Sequence, residues 1–145
     1  MQEAARAFYR AWVSVLFVAI VVQVALAGYG SFYAAEKTKN AGQVLTHHQF
    51  DHGFSAHDAL GYLIFLASIV LVLIALGARL GRRGVLLALA VPVLVLIQIL
   101  LAIAGENTPA VGVLHPVNGF LILGLVGMLT HRAWRAASEP AAGVR

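Results

Sequence analysis

The chain has 145 residues, of which 61% are hydrophobic and 11% charged. Its mean hydropathy of +0.87 lies outside the range of soluble domains and predicts a membrane protein. The net charge of +4 comes from arginines that flank the apolar segments, so it indicates contact with anionic headgroups rather than nucleic-acid binding. The chain has no cysteine, which excludes disulfides, thiolate metal sites and covalently attached c-type haem.

Four charge-free windows are each long enough to cross the hydrocarbon core as a helix, which needs about 20 residues. The windows are continuously apolar rather than alternating, which excludes a strand barrel, the other structure that lipid tolerates. The sequence therefore predicts an all-α integral membrane four-helix bundle, formed by a single domain over residues 1–137. A disordered cytoplasmic tail is expected over 138–145. The predicted spans are 11–33, 55–77, 84–105 and 109–132.

Lysine and arginine are distributed unequally between the two ends of these spans. Eight fall on the side of the termini and the 79–83 connection, whereas only Lys37 and Lys39 fall on the other side. By the positive-inside rule both termini are cytoplasmic (N-in/C-in), and we expect the protein in a bacterial plasma membrane. The first apolar segment is longer than the core of a typical signal peptide, so we predict that it is a retained helix.

Local signals predict where two of the helices begin. Ser55-Ala-His-Asp58 matches a capping box, so we expect the second helix to begin at Ser55, after an outer loop over 36–56. Thr108 and Pro109 are typical of the N-cap and the first residue of a helix, and we expect the fourth helix to begin there.

Two similar octapeptides open the second and fourth helices: HDALGYLI at 57–64 and HPVNGFLI at 115–122. The outer halves of the first and third helices are also similar, with QVALAGYG at 23–30 and QILLAIAG at 98–105. These matches predict two duplicated helical hairpins, related by an axis along the membrane normal because both begin on the same side. Such an axis places the first residues of the two octapeptides opposite each other.

His57 and His115 are therefore the candidate ligands of a central cofactor. A zinc site needs three or four protein ligands, whereas a haem iron takes two axial ligands on opposite faces of a flat ring. An ionisable residue in a membrane helix is a functional candidate by default. We predict a haem b bound by both imidazoles near the outer face, and the alternative is a polar structural pair.

Four further residues are predicted to contribute to this cofactor site. Gly61 and Gly119 lie one turn after the histidines on the same helix face, where glycine lets a bulky ring or a neighbouring helix approach. Gln23 and Gln98 lie at a similar depth, where they either orient the imidazoles and reach the haem propionates or make interhelical hydrogen bonds.

The segment His47-His48-Gln-Phe-Asp51-His52 is a second, weaker candidate site. His48 and His52 are four residues apart, and with Asp51 they would bind zinc, copper or iron if this stretch is helical. A solvated loop is the simpler interpretation. His131, alone at the cytoplasmic end, is expected to face headgroups.

A helix end with glutamine and glycine, then an outer loop, then a histidine at the start of the next helix occur in this order twice along the chain. This order resembles one four-helix half of the heme A synthase family. In that family the second and fourth helices of each half carry a histidine pair near the outer face, one pair binding haem b and the other addressing the substrate haem. His57 and His115 match these positions, and residues 98–105 resemble the third-helix pattern. The resemblance implies a haem-holding bundle, and a homodimer would restore the family's eight helices.

This chain departs from the family in three ways, the first being that it has four predicted spans where the family has eight. The outer-loop cysteines are absent, and residues 53–56 hold no counterpart of the family's glutamate before the first histidine. We therefore expect a shared haem-holding scaffold without the synthase reaction, and we assign no catalytic residue.

The sequence thus predicts a b-type cytochrome-like protein that transfers electrons or handles haem. Its expected partners are the lipid bilayer, haem, and a redox protein or quinone, and no nucleic acid. One alternative is a transporter of protons, metal ions or small solutes with His57, Asp58 and His115 as its polar pathway. Another is a cofactor-free scaffold subunit of a membrane complex.

Overall fold

The computed structural model describes residues 2–138, and this part of the chain is helical without a strand. As predicted, it contains four helices long and apolar enough to cross a membrane, the last of them interrupted near its start. The predicted tail falls largely outside the described residues, and Ser138 is the last residue of the final helix. The helices are α1 (Gln2–Lys37), α2 (His47–Gly77), α3 (Gly81–Asn107), α4 (Pro109–Gly112) and α5 (Leu114–Ser138).

The four long helices form a closed ring, because α1 and α3 each pack against both α2 and α5. Large apolar side chains also cover the outside of this ring, and Phe32 and Phe120 are 79% and 70% exposed. A helix that is apolar all round is typical of a membrane span. The fully buried side chains at the centre of the ring include Val13, Leu71, Val91 and Val126.

Hydrogen bonds between helices supplement this packing. Lipid tails are as apolar as leucine, so helices in a membrane are held together by close packing and interhelical hydrogen bonds rather than by the hydrophobic effect. Trp12 Nε1 donates to the carbonyl of Ala67 at 3.0 Å and joins α1 to α2. Asn118 Nδ2 donates to the carbonyl of Leu94 at 2.9 Å and joins α5 to α3.

The two ends of the bundle differ in composition. One end carries the 38–46 connection together with His57 and His115, and we call it the histidine end. The opposite end carries the 78–80 turn and both described termini, and we call it the arginine end. Its arginines are Arg6, Arg10, Arg79, Arg82, Arg83, Arg132 and Arg135.

The prediction that the second helix begins at Ser55 is wrong, because α2 begins eight residues earlier, after the N-cap Thr46. Thr46 Oγ1 accepts from the backbone N–H of Gln49 at 3.2 Å, and Gln49 Oε1 accepts from the backbone N–H of Thr46 at 3.1 Å. The Ser55 hydroxyl instead donates to the carbonyl of His52 at 3.1 Å. A complete capping box therefore precedes the one at Ser55, and the connection between α1 and α2 shortens to 38–46.

The fourth span begins as predicted, with Thr108 as N-cap and Pro109 as the first helical residue of α4. The short α4 packs directly on the end of α3, since a Cβ added to Gly105 would lie 2.8 Å from the Cα of Gly112. This close approach turns the chain back into the bundle just before His115.

A second close approach, between α1 and α2, yields a test of the packing. A Cβ added to Gly30 would lie 2.7 Å from the ring of Phe54, whereas nothing lies within 4 Å of a Cβ added to Gly28. We expect Gly30→Ala to lower the free energy of unfolding by about 1–3 kcal/mol, because the ring must move. Gly28→Ala is the matched control and should not lower it. Thermal unfolding in detergent measures both, and equal melting temperatures for the two variants would contradict this contact of α1 with α2.

Candidate cofactor site

His57 of α2 and His115 of α5 face each other at the histidine end. Their ring centroids are 6.3 Å apart and their planes are inclined at 54°. Two imidazoles that share one metal ion, with metal–nitrogen bonds of about 2 Å, have centroids roughly 6 Å apart. The observed separation is therefore compatible with a single metal centre between the two rings.

A backbone carbonyl on the preceding long helix orients each ring. His57 Nδ1 lies 3.1 Å from the carbonyl oxygen of Gln23, and His115 Nδ1 lies 3.0 Å from that of Gln98. A carbonyl only accepts, so Nδ1 carries the proton and donates in both contacts. The lone pair of Nε2 is left available, which is the arrangement by which proteins commonly hold a metal-ligating histidine.

The side-chain amides of the two glutamines bond to the neighbouring helix. Gln23 Nε2 donates to the backbone carbonyl of His57 at 2.7 Å, and Gln98 Oε1 accepts from Asn118 Nδ2 at 2.8 Å. The predicted interhelical hydrogen bonds are therefore present, and the backbone carbonyl of each glutamine orients an imidazole.

The two sides of the site differ at the position three residues after each histidine. Asn118 occupies it in α5 and is 7% exposed, whereas Leu60 occupies it in α2. Among the described residues Gln23 Oε1 is buried and has no hydrogen-bond partner. Such an atom commonly marks a place that a water or a ligand completes. Asn118 was missed as a site residue, although a polar side chain inside a membrane helix is itself a signal.

Gly61 and Gly119 provide space for the glutamine amides. A Cβ added to Gly61 would lie 3.1 Å from Gln23 Nε2, and one added to Gly119 would lie 3.4 Å from Gln98 Nε2. Each glycine thus lets a glutamine of the adjacent helix approach closely, one helical turn beyond a histidine.

All six predicted cofactor-binding residues line one cavity of about 370 Å³. Small-molecule sites commonly have volumes of about 300–1,000 Å³, with mainly apolar walls and a few convergent polar groups. The exposed carboxylates Asp58 and Glu106 also contribute to the lining. The buried apolar lining residues are Ile20, Ile64, Val95 and Ile122.

The second candidate site lies on the first turns of α2, so the segment with His48 and His52 is helical as its metal hypothesis requires. Both side chains are exposed, and the ring of His52 stacks on Tyr33 at a centroid distance of 5.4 Å. Within residues 2–138 no three or more His, Asp or Glu side chains come together as a metal-binding group. His48 and His52 therefore do not form the predicted three-residue set with Asp51.

Comparison of the chain with family models, with curated proteins and with solved structures found no match. An assignment of function therefore depends on the geometry and chemistry of the site.

The asymmetry of the two glutamines provides a test of the site's hydrogen bonding. Asn118→Leu leaves Gln98 Oε1 without its donor, and we expect it to lower the free energy of unfolding by about 1–3 kcal/mol. Leu60→Asn places an amide at the matched position of α2, near the unpartnered oxygen of Gln23. It should lower the free energy of unfolding by less than Asn118→Leu does. Thermal melts of both variants measure the difference, and an unchanged melting temperature for Asn118→Leu would contradict this hydrogen-bond network.

Proposed function

We propose that the protein binds one haem b with His57 and His115 as the axial ligands, and that it serves electron transfer or haem handling as a b-type cytochrome-like protein. One observation carries this proposal: the two rings face each other at 6.3 Å, and each Nδ1 is held by a backbone carbonyl. A haem iron accepts up to two such ligands from the protein, because the macrocycle supplies the other four.

The donor set and the cavity both favour haem over a bare metal ion. A bare zinc ion takes three or four protein ligands, and no group of three candidate ligands assembles within residues 2–138. A flat, largely apolar macrocycle matches walls formed by Ile20, Val95 and Ile122. Gln23 lines the cavity, and its buried Oε1 has no hydrogen-bond partner among the described residues.

The surrounding residues act mainly by fixing the orientation of the two imidazoles. The carbonyl contacts fix the tautomer and the orientation of both imidazoles and raise their basicity as ligands. The apolar walls limit the access of water, which influences the redox potential of a bound group. When both axial positions are filled, haem supplies one-electron transfer rather than oxygen activation.

Two finer proposals about architecture are supported by the matched contacts and by the distribution of arginine. The pair Gln23–His57 repeats as Gln98–His115, as expected if the bundle consists of two duplicated hairpins. The excess of arginine at the arginine end supports a cytoplasmic position for that end and for both termini. The haem would then lie near the outer face of a bacterial plasma membrane, where a redox protein or a quinone could exchange electrons with it.

The resemblance to one half of heme A synthase supports the haem-holding part of this proposal alone. Residues 53–56 are all helical in α2 and contain no carboxylate, so the position of the family's glutamate remains without an acid. We therefore propose no synthase reaction.

A transport pathway is less well supported, because the bundle closes between the cavity and the arginine end. Val13, Leu71 and Val126 are fully buried there. The buried hydroxyl of Ser68 donates to the carbonyl of Phe65 at 2.6 Å, within its own helix. These contacts provide no continuous polar route for a proton or an ion.

Haem content and the reduced-minus-oxidised absorption spectrum of the purified protein test the proposal. We expect one haem per chain with the spectrum of a bis-histidine cytochrome. His57→Ala and His115→Ala should each lower haem affinity by at least about tenfold, because each variant removes one axial ligand.

His48→Ala and His131→Ala are matched controls, because both histidines are exposed and lie outside the cavity. They should leave haem content and spectrum unchanged. A colourless wild-type protein that does not take up haemin would refute the proposal, as would a bis-histidine spectrum that survives both ligand substitutions.

A further inference from the structure

A second cavity, of about 350 Å³, lies at the arginine end between α1, α3 and α5. Its floor is apolar and includes Leu87 and Leu129. Its charged lining consists of four arginines from three helices: Arg6, Arg10, Arg83 and Arg132.

These guanidinium groups have no anionic partner in the part of the chain that the structure describes. The only ion pair among residues 2–138 joins Lys39 to Glu36, far away at the histidine end. Several cations that converge at the edge of an apolar bundle repel each other and produce a strongly positive local potential. An anion bound among them would offset that repulsion.

Two aromatic residues add to the arginines, Tyr9 in the wall of the cavity and Trp134 beside it. Tyr9 lines the cavity with its ring buried, and its hydroxyl, which makes no hydrogen bond to a described residue, remains accessible. The guanidinium of Arg10 lies 5.0 Å from the centre of the Trp134 ring, and Trp134 Nε1 donates to Ser14 Oγ at 3.0 Å. Arg10 is thereby positioned, and Tyr9 is left with a free donor at the cavity wall.

We propose that this cavity binds the phosphate group of an anionic phospholipid. Guanidinium groups match phosphate oxygens in charge and in fork geometry, and Tyr9 can add one hydroxyl donor. Basic pockets between membrane helices are typical sites for anionic headgroups. The apolar floor suits the first methylenes of an acyl chain, and the half-exposed Trp134 is typical of the depth at which headgroups lie.

Native mass spectrometry of the full chain in detergent tests this proposal, with phosphatidylglycerol, phosphatidylcholine and inorganic phosphate as the probes. We expect wild-type protein to retain phosphatidylglycerol in preference to phosphatidylcholine. The double variant Arg83→Gln/Arg132→Gln should bind it about 25-fold more weakly, at about fivefold for each arginine. Tyr9→Phe, which removes a single hydroxyl, should weaken binding roughly fivefold.

The matched control is Arg82→Gln/Arg135→Gln, which removes the same charge from the same end but does not line the cavity. It should bind phosphatidylglycerol as wild type does, and Arg83→Lys/Arg132→Lys, which keeps the charge, should recover most of the affinity. Equal losses of phosphatidylglycerol affinity in Arg83→Gln/Arg132→Gln and in the control Arg82→Gln/Arg135→Gln would overturn the site and indicate a general effect of charge. Equal retention of the two lipids would overturn the anionic preference, and displacement of lipid by millimolar inorganic phosphate would identify free phosphate as the ligand instead. Haem content, expected to be unchanged in all variants, reports folding separately.

Discussion

The hydrogen bond from each imidazole to a backbone carbonyl is the interaction on which the site depends. Both rings are partly buried in an apolar bundle, where an unpaired N–H is costly. The carbonyls of Gln23 and Gln98 each accept this proton with a second lone pair, besides their role within the helix. The same contact fixes the tautomer, leaves Nε2 free and sets the separation between neighbouring helices.

The molecule has a cavity at each end of the bundle, with an apolar layer between them. The histidine end brings two imidazoles together beside a mainly apolar cavity, where we propose that haem binds. The arginine end brings four arginines together beside the cavity where we propose that an anionic headgroup binds. Val13, Leu71, Val91 and Val126 lie between the two and are fully buried. This separation favours a protein that holds a cofactor at a defined depth over one that conducts ions.

Much of this organisation follows from the sequence, and the rest depends on helix rotation and register. Charge-free length predicted the four spans, and the repeated octapeptides identified His57 and His115, which do face each other. Because the helices are apolar all round, hydrophobic periodicity could not indicate which carbonyl each imidazole meets. Nor could it show that Asn118 would satisfy one glutamine oxygen and leave Gln23 Oε1 unpartnered.

The start of α2 shows a different limit of sequence reasoning. Two capping boxes occur within ten residues, at Thr46 and at Ser55, and either one can begin a helix. The packing of the Phe54 ring against Gly30 and the stacking of His52 on Tyr33 hold the first turns of α2 against α1, before the charge-free window begins. Tertiary contacts therefore decided between two local signals of similar strength.

The central claim is that one haem iron lies between His57 and His115. Low-temperature electron paramagnetic resonance of the oxidised, haem-loaded protein tests it most directly, because two axial imidazoles produce a low-spin ferric centre. We expect a low-spin signal in the wild type and a high-spin signal in whatever haem His57→Ala or His115→Ala retains. A high-spin wild type, or a low-spin signal that persists in both variants, would contradict the claim.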